Sequence, residues 1–297
     1  MKRATTLIIQ TDRFTEYDPF WLKTAGNPAF VARSRRVKPT AAQTRYVAVL
    51  ARLQPRLERL FASHLDRFFD HLETQGHGVA RAILDTVELE RLFGLRSFSY
   101  EVKVTARDRA LVNRILRRLG LEPSQNAFKR LYEGHYLTVG EEVAGVSDII
   151  GLATDLPDPI ARSIVSAGGR RAGLVDLSKQ AKASLFRALE EGRAAGEGPG
   201  ALARRIGRGL ARGPWSTPEI RARVIARTET KFAQNMSMLA KAREAGVERI
   251  LIFDGRLPTS DEDCIARDGK VVTIDQFEEL MHIEHPNGTL SGSPYFG

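Results

Sequence analysis

Thr228 and Glu229 stand side by side in a helical run that opens near Ser216 and ends at Gly246. With about 100° between successive residues, Ile225, Thr228, Glu229, Phe232, Met236 and Leu239 fall in one stripe, with Asn235 at its edge. Thr228 and Glu229 are therefore expected on a buried face. A buried carboxylate needs partners, because desolvating it alone costs several kcal/mol or forces it to take a proton. Two roles fit such a residue. One is a catalytic acid or metal ligand. The other is a polar lock that fixes how the helix docks, and this is the expected role, since buried polar networks often specify packing without chemistry. Arg227 points to nearly the opposite face and is not Glu229's partner on the same helix. Arg227 and Lys231, four apart and both positive, are expected to face solvent, acidic side chains or phosphate.

A second set of reactive side chains lies beyond Gly246. With Glu229, the aspartates Asp254, Asp261 and Asp263 would supply carboxylates to a Mg²⁺ ion in a metal-dependent nuclease or hydrolase. Asp261, Cys264, His282 and His285 are weak candidates for zinc, which needs four well-placed ligands, or three and a water. That shortage of ligands argues against zinc, and no cofactor is expected. A lone cysteine is commonly a small buried hydrophobe, and His285 is expected to hydrogen-bond within its loop. His64 and His71 share one helix face, with no Cys or carboxylate pattern to complete a site. Nucleophile-elbow glycines, a Walker loop and GxGxxG are all lacking, so the chain is not expected to be an enzyme.

The third set is cationic. Arg204, Arg205, Arg208, Arg212, Arg221 and Arg223 offer charge without a base-reading constellation, which suits DNA phosphates or an acidic partner. Net charge is +9 but uneven. Residues 201–231 carry eight basic and two acidic side chains, whereas residues 248–297 carry four basic and ten acidic ones. The chain has 297 residues, 42% hydrophobic and 27% charged, enough for about two globular domains. No apolar run approaches the roughly 18 residues of a membrane span, and the N-terminal stretch MKRATTLIIQTDRF is too short in its apolar core for a signal peptide. One cysteine excludes an intramolecular disulfide framework and suits a reducing compartment.

The elements that would position these residues read as mainly α. Residues 1–39, with Asp18-Pro19, Asn27-Pro28 and Lys38-Pro39, form an irregular arm carrying Arg33, Arg35, Arg36 and Lys38. Residues 40–150 form an α-helical domain. Its helices are Thr40 to Leu72 (kinked or divided by Pro55 and followed by a break at Gly76-His77-Gly78), Val79 to Phe93, Arg107 to Leu119 with Gly120 as stop, and Glu122 to Val143. Ser97 to Thr105 reads as an extended piece or a linker. In residues 151–297 one helix starts at Asp158-Pro159 and ends at Gly168-Gly169. Asp176 caps another, and Pro199 to Leu210 forms a short basic one. The central helix starts either with Ser216 as cap and Glu219 closing a capping box, or with Thr217 as cap and Pro218 at its first position. Then come two β-prone runs, VERILIF and KVVTI, joined as a small hairpin through a turn at Asp268-Gly269. After them come a helix capped by Asp275 and a Gly/Ser tail.

Several pieces follow in one order: DLSKQAKASLF, EEGRAAGEGPGALARRIG, VIARTETKFAQN, AREAGVERILIFDGR, CIARDGKVVTID and HPNG. This string, over about residues 160–288, resembles the phage head morphogenesis family, the Mu F-like minor head proteins of tailed phages. Its most specific part is IARTET followed by Ala233 and Asn235. Residues 1–150 carry no resemblance. The resemblance implies an α+β head-morphogenesis domain over residues 151–297, without a defining catalytic activity. It implies a low-copy virion protein that acts in procapsid assembly at the portal, in the host cytoplasm before it is part of the virion. The implied partners are the portal protein, other head proteins and packaged DNA, with no membrane. The motif positions carried over are Arg227, Thr228, Glu229, Asn235, Asp254, Asp268, Gly269, His285, Pro286 and Asn287. Family members often carry two cysteines around the loop and end in His-Pro-Asn-Cys-Arg-Cys, a set suited to a metal. Here Asp261 stands three residues before Cys264, and Gly288 follows His285-Pro286-Asn287.

Overall fold

The computed structural model describes residues 27–85, 106–152, 177–213, 215–257, 260–285 and 288–297. The chain is mainly helical, with a small antiparallel sheet near its C-terminus, as expected. In chain order the helices are α1 (Ala29–Arg33), α2 (Ala41–Leu84), α3 (Ala106–Leu119), α4 (Leu121–Ala144), α5 (Leu177–Ala194), α6 (Pro199–Arg212) and α7 (Pro218–Glu244). Strand β1 (Arg249–Phe253), helix α8 (Glu262–Arg267), strand β2 (Val271–Thr273), helix α9 (Ile274–Ile283) and strand β3 (Ser291–Tyr295) follow. The expected helix starting at Asp158, its Gly168-Gly169 end, the Asp176 cap, residues 86–93 and the piece Ser97 to Thr105 lie outside the described residues.

Two compact units divide the chain. The first takes Met1–Ala62, Leu131–Ala172 and Arg223–Gly297, and the second takes Ser63–Arg130 and Gly173–Ala222. The chain-order division at 40 and 151 does not coincide with them, because α2, α4 and α7 each contribute residues to both units.

In the second unit, α2 packs on α6 through glycines. A Cβ on Gly76 would lie 2.4 Å from Leu210 Cδ1, and one on Gly207 would lie 2.8 Å from the Glu73 carbonyl oxygen. The expected break at Gly76-His77-Gly78 is therefore corrected. The helix runs on to Leu84, and its glycine lets a neighbour approach instead of ending the helix. Pro55 does not divide α2 either, since the helix is continuous for 44 residues. Its start is a reciprocal cap: Gln43 N–H donates to Thr40 Oγ1 at 3.2 Å, and Thr40 N–H donates to Gln43 Oε1 at 2.9 Å.

In the first unit the sheet order is β2-β1-β3, all antiparallel. Ile250 at the centre pairs with Val272 on one side and Pro294 on the other. The hairpin expected between β1 and β2 is present, with α8 in its connection. Gly269 N–H donates to the Ile252 carbonyl at 2.9 Å with φ at +73°, so Asp268-Gly269 turns the chain into β2. The expected Gly/Ser tail is instead strand β3. Its Gly292 has no space for a side chain, since a Cβ there would meet Ile250 Cγ2 and Phe277 Cζ, both at 2.7 Å. The outer edge of β2 is covered by the arm: Val271 N–H donates to the Arg35 carbonyl, and Val37 N–H to that of Gly269. Helix α9 is capped by Thr273, not Asp275, in a capping box with Gln276.

Candidate functional site

Helix α7 starts with Thr217 as its cap, whose Oγ1 accepts from Ile220 N–H at 3.3 Å, leaving Pro218 at the first helical position. From Ile225 to Leu239 the helix is buried nearly all round, more than a single stripe would require; Arg227, Lys231 and Met236 are half-buried. Its polar residues meet this burial with hydrogen bonds. Glu229, 0% exposed, accepts from the Tyr136 hydroxyl, and Thr230 Oγ1 bonds His135 Nε2 at 2.9 Å. Two neighbours on α4 thus clasp two neighbours on α7, and the His135 ring stacks on Phe61 with centroids 4.0 Å apart. Asn235 donates to the Leu290 carbonyl at 2.8 Å, and Gln234 to that of Leu50 at 3.4 Å. Lys231 is not on a solvent face as expected. It is half-buried and donates to Ser291 Oγ at 3.1 Å. Desolvation pulls its pKa down to about 8.

Below the sheet, β1, α8 and the end of α9 bring a second polar group together. Arg267 Nη2 lies 2.8 Å from Asp254 Oδ2, 2.6 Å from Glu284 Oε2 and 3.2 Å from Cys264 Sγ. The two carboxylates and the guanidinium are almost fully buried. Burial, and then the charge of Glu284, push the Asp254 carboxyl up to about 6. Arg267, the Thr289 hydroxyl at 2.6 Å and Gly255 N–H work the other way. Asp268 fixes this corner by accepting from Asp254 N–H at 3.0 Å and Arg256 Nε at 2.8 Å.

Asp261 caps α8 by accepting from Cys264 N–H at 2.8 Å, and its other oxygen lies 3.1 Å from His285 Nε2. His285 Nε2 is also 3.6 Å from Cys264 Sγ. Ligand atoms of Asp261, Cys264 and His285 thus fall within 4.8 Å of one another, as do those of Asp254, Cys264 and Glu284. His282 joins neither group. It is exposed, with its ring 5.7 Å from that of Phe232. The Cys264 thiol is a poor ligand, because burial and then the charges of Asp254 and Glu284 push its pKa far up, and the guanidinium occupies its polar side. A Cβ at Gly288 would lie 1.7 Å from Glu284 Oε1, so no larger residue fits there without moving Glu284. Pro286 and Asn287 lie outside the described residues.

Glu229 belongs to neither group of metal-ligating atoms, and neither does Asp263, whose carbonyl accepts from Asn27. The carboxylate set weighed for Mg²⁺ is therefore split between the clasp on α7 and the Arg267 corner. Of the arginines, Arg204, Arg208 and Arg223 are exposed. Arg205 is held by Glu197 at 2.5 and 2.9 Å and by Glu191 at 2.9 Å, and Arg212 lies 3.3 Å from Glu191. Arg221 as a DNA or partner contact is corrected: it is 0% exposed. Its Nη1 donates to the carbonyls of Leu210 and Ala211 at 3.0 and 2.8 Å, completing the C-terminus of α6, and its guanidinium lies 4.0 Å over the Phe69 ring.

Sequence reasoning does not single out Tyr136, His135, Arg267, Glu284 or Thr289. Arg267 had a signal: it is one of four cations among ten acidic residues and stands three positions after Cys264 on a helix. Comparison of the chain with protein-family models, with curated proteins and with solved structures finds no match.

Proposed function

We propose that the chain is a minor head protein of the Mu F-like kind, a low-copy structural component that acts in procapsid assembly at the portal of a tailed phage. The carrying observation is that the pieces of the resemblance interlock. Glu229 and Asn235 of the IARTET stretch, Asp254 after ILIF, Asp268-Gly269 before VVT, and His285 at the end of α9 all take up structural hydrogen bonds or turns within one unit. Motif residues engaged in this way serve the scaffold of their unit, which fits a structural role. The splitting of Glu229 from the loop aspartates weighs against a shared Mg²⁺ centre and so favours the structural role over the hydrolase alternative. Exposed Arg204, Arg208 and Arg223 leave a limited capacity for DNA phosphate contact, without base reading. Co-expression with the portal protein of the same phage tests the reading. The two should co-purify as one complex, with fewer copies of this chain than of the portal. Elution of the chain alone at all salt concentrations would refute it.

A further inference from the structure

Lys231 lies on α7 with Thr228 three residues before it and Asn235 four residues after it, so the three share one face. That face opens into a small pocket whose other walls are the buried apolar Phe232, Met281 and Leu290, together with Gly288, His285 and the Glu284 carboxylate that Arg267 holds. An ammonium has three donors. Among the described residues Lys231 uses one of them, to Ser291 Oγ, and no carboxylate lies within ion-pairing distance. Glu58 is the strongest attraction on it, without forming an ion pair, and Arg227 repels it; Asp254 and Glu284 add smaller attractions, and both are engaged by Arg267. The Asn235 amide gives one of its two hydrogens to the Leu290 carbonyl and, among the described residues, keeps the other. A desolvated cation with donors to spare, between apolar walls and a Glu284 carboxylate already neutralised by Arg267, is matched by a single small anion with an apolar body. Phosphate, which needs several donors, fits less well.

We propose that this pocket binds a carboxylate carried on a small apolar group, with the Lys231 ammonium as its counter-ion and the Thr228 hydroxyl and Asn235 amide beside it. The carboxylate comes either from a free short-chain acid or from the C-terminus of a polypeptide, and the proposal does not depend on the head-protein reading. The depressed Lys231 pKa is consistent with an ammonium that lacks its counter-charge.

The test is an NMR titration of the full chain with labelled lysine, using butyrate as probe and a short peptide ending in a free leucine carboxylate as the second arm. On binding, the Lys231 pKa should rise by about one unit or more, because an opposite charge at contact favours the ammonium. Lys231→Met should weaken binding by about tenfold or more. A shift with the peptide alone assigns the carboxylate to a polypeptide, and a shift with butyrate assigns it to the free acid. A Lys231 pKa that neither probe moves in the wild type overturns the proposal without recourse to the variant. Inorganic phosphate shifting it as strongly as butyrate would overturn the carboxylate assignment.

Discussion

Replacing Glu229 by alanine should destabilise the protein by about 2–4 kcal/mol, and replacing Arg227 should cost less than about 0.5 kcal/mol. The contrast follows from positions two residues apart on one helix. Glu229 is 0% exposed and Tyr136, which donates to it, is 1% exposed. Alanine would leave the Tyr136 hydroxyl buried without its acceptor, a cost of about 1–3 kcal/mol. The lost methylene adds about 0.8 kcal/mol. Arg227 is half-buried, and among the described residues no hydrogen bond or ion pair holds it. Glu229→Gln keeps an acceptor and the shape, and should cost less than half as much as Glu229→Ala. In a double-mutant cycle, Tyr136→Phe and Glu229→Ala should couple by about 1–2 kcal/mol, since the two touch. Urea unfolding followed by circular dichroism reads all five variants, the double mutant included. If Arg227→Ala and Glu229→Ala shift the midpoint equally, or the cycle shows no coupling, the clasp between α4 and α7 is not what fixes this helix.

The raised Asp254 pKa predicts an acid-side effect. Because its folded value of about 6 lies above the ordinary 3.8, the folded state binds the extra proton. The resulting stability is full below about pH 4 and is lost as pH rises to about 6, with a size of up to about 3 kcal/mol. Asp254→Asn should remove that slope, and identical pH profiles for the two proteins would contradict it. Arg221→Ala should cost about 2–5 kcal/mol, because it strips donors from two buried carbonyls of α6, while Arg223→Ala should be nearly neutral; similar melting shifts for both would contradict the buried assignment. Any DNA binding should be sequence-independent, and replacing Arg204 and Arg208 with alanine should flatten the log–log salt slope by about 1.8 on duplex DNA; an unchanged slope would remove α6 from the interface. Elemental analysis should find no stoichiometric zinc, given a protonated Cys264 with Arg267 against it; about one zinc per chain, lost on Cys264→Ser, would reverse this.

Helix starts and stops were legible because capping is local chemistry: Thr217-Pro218, Gly120 and Gly246 each act where periodicity ends. Glycine proved ambiguous. At Gly246 it ends a helix with φ at +69°, yet at Gly76 it admits Leu210, and only the partner helix distinguishes the two uses. Strand β3 was hidden by its composition, SGSPY, which lacks the β-branched residues of a strand because it must lie close to Ile250 and Phe277. The burial of Glu229 could be read from spacing, but its partner Tyr136 lies 93 positions away, beyond any local pattern. Arg221 shows the opposite error: an arginine in a basic run looks solvated until the carbonyls at the end of α6 and the ring of Phe69 are brought to it.

The proposed head-protein role is tested most directly by the composition of the particle. On that reading, quantitative mass spectrometry of purified phage heads should find this chain at far fewer copies than the major shell protein and in constant ratio to the portal. Heads complete with portal and DNA but devoid of this chain would contradict the account.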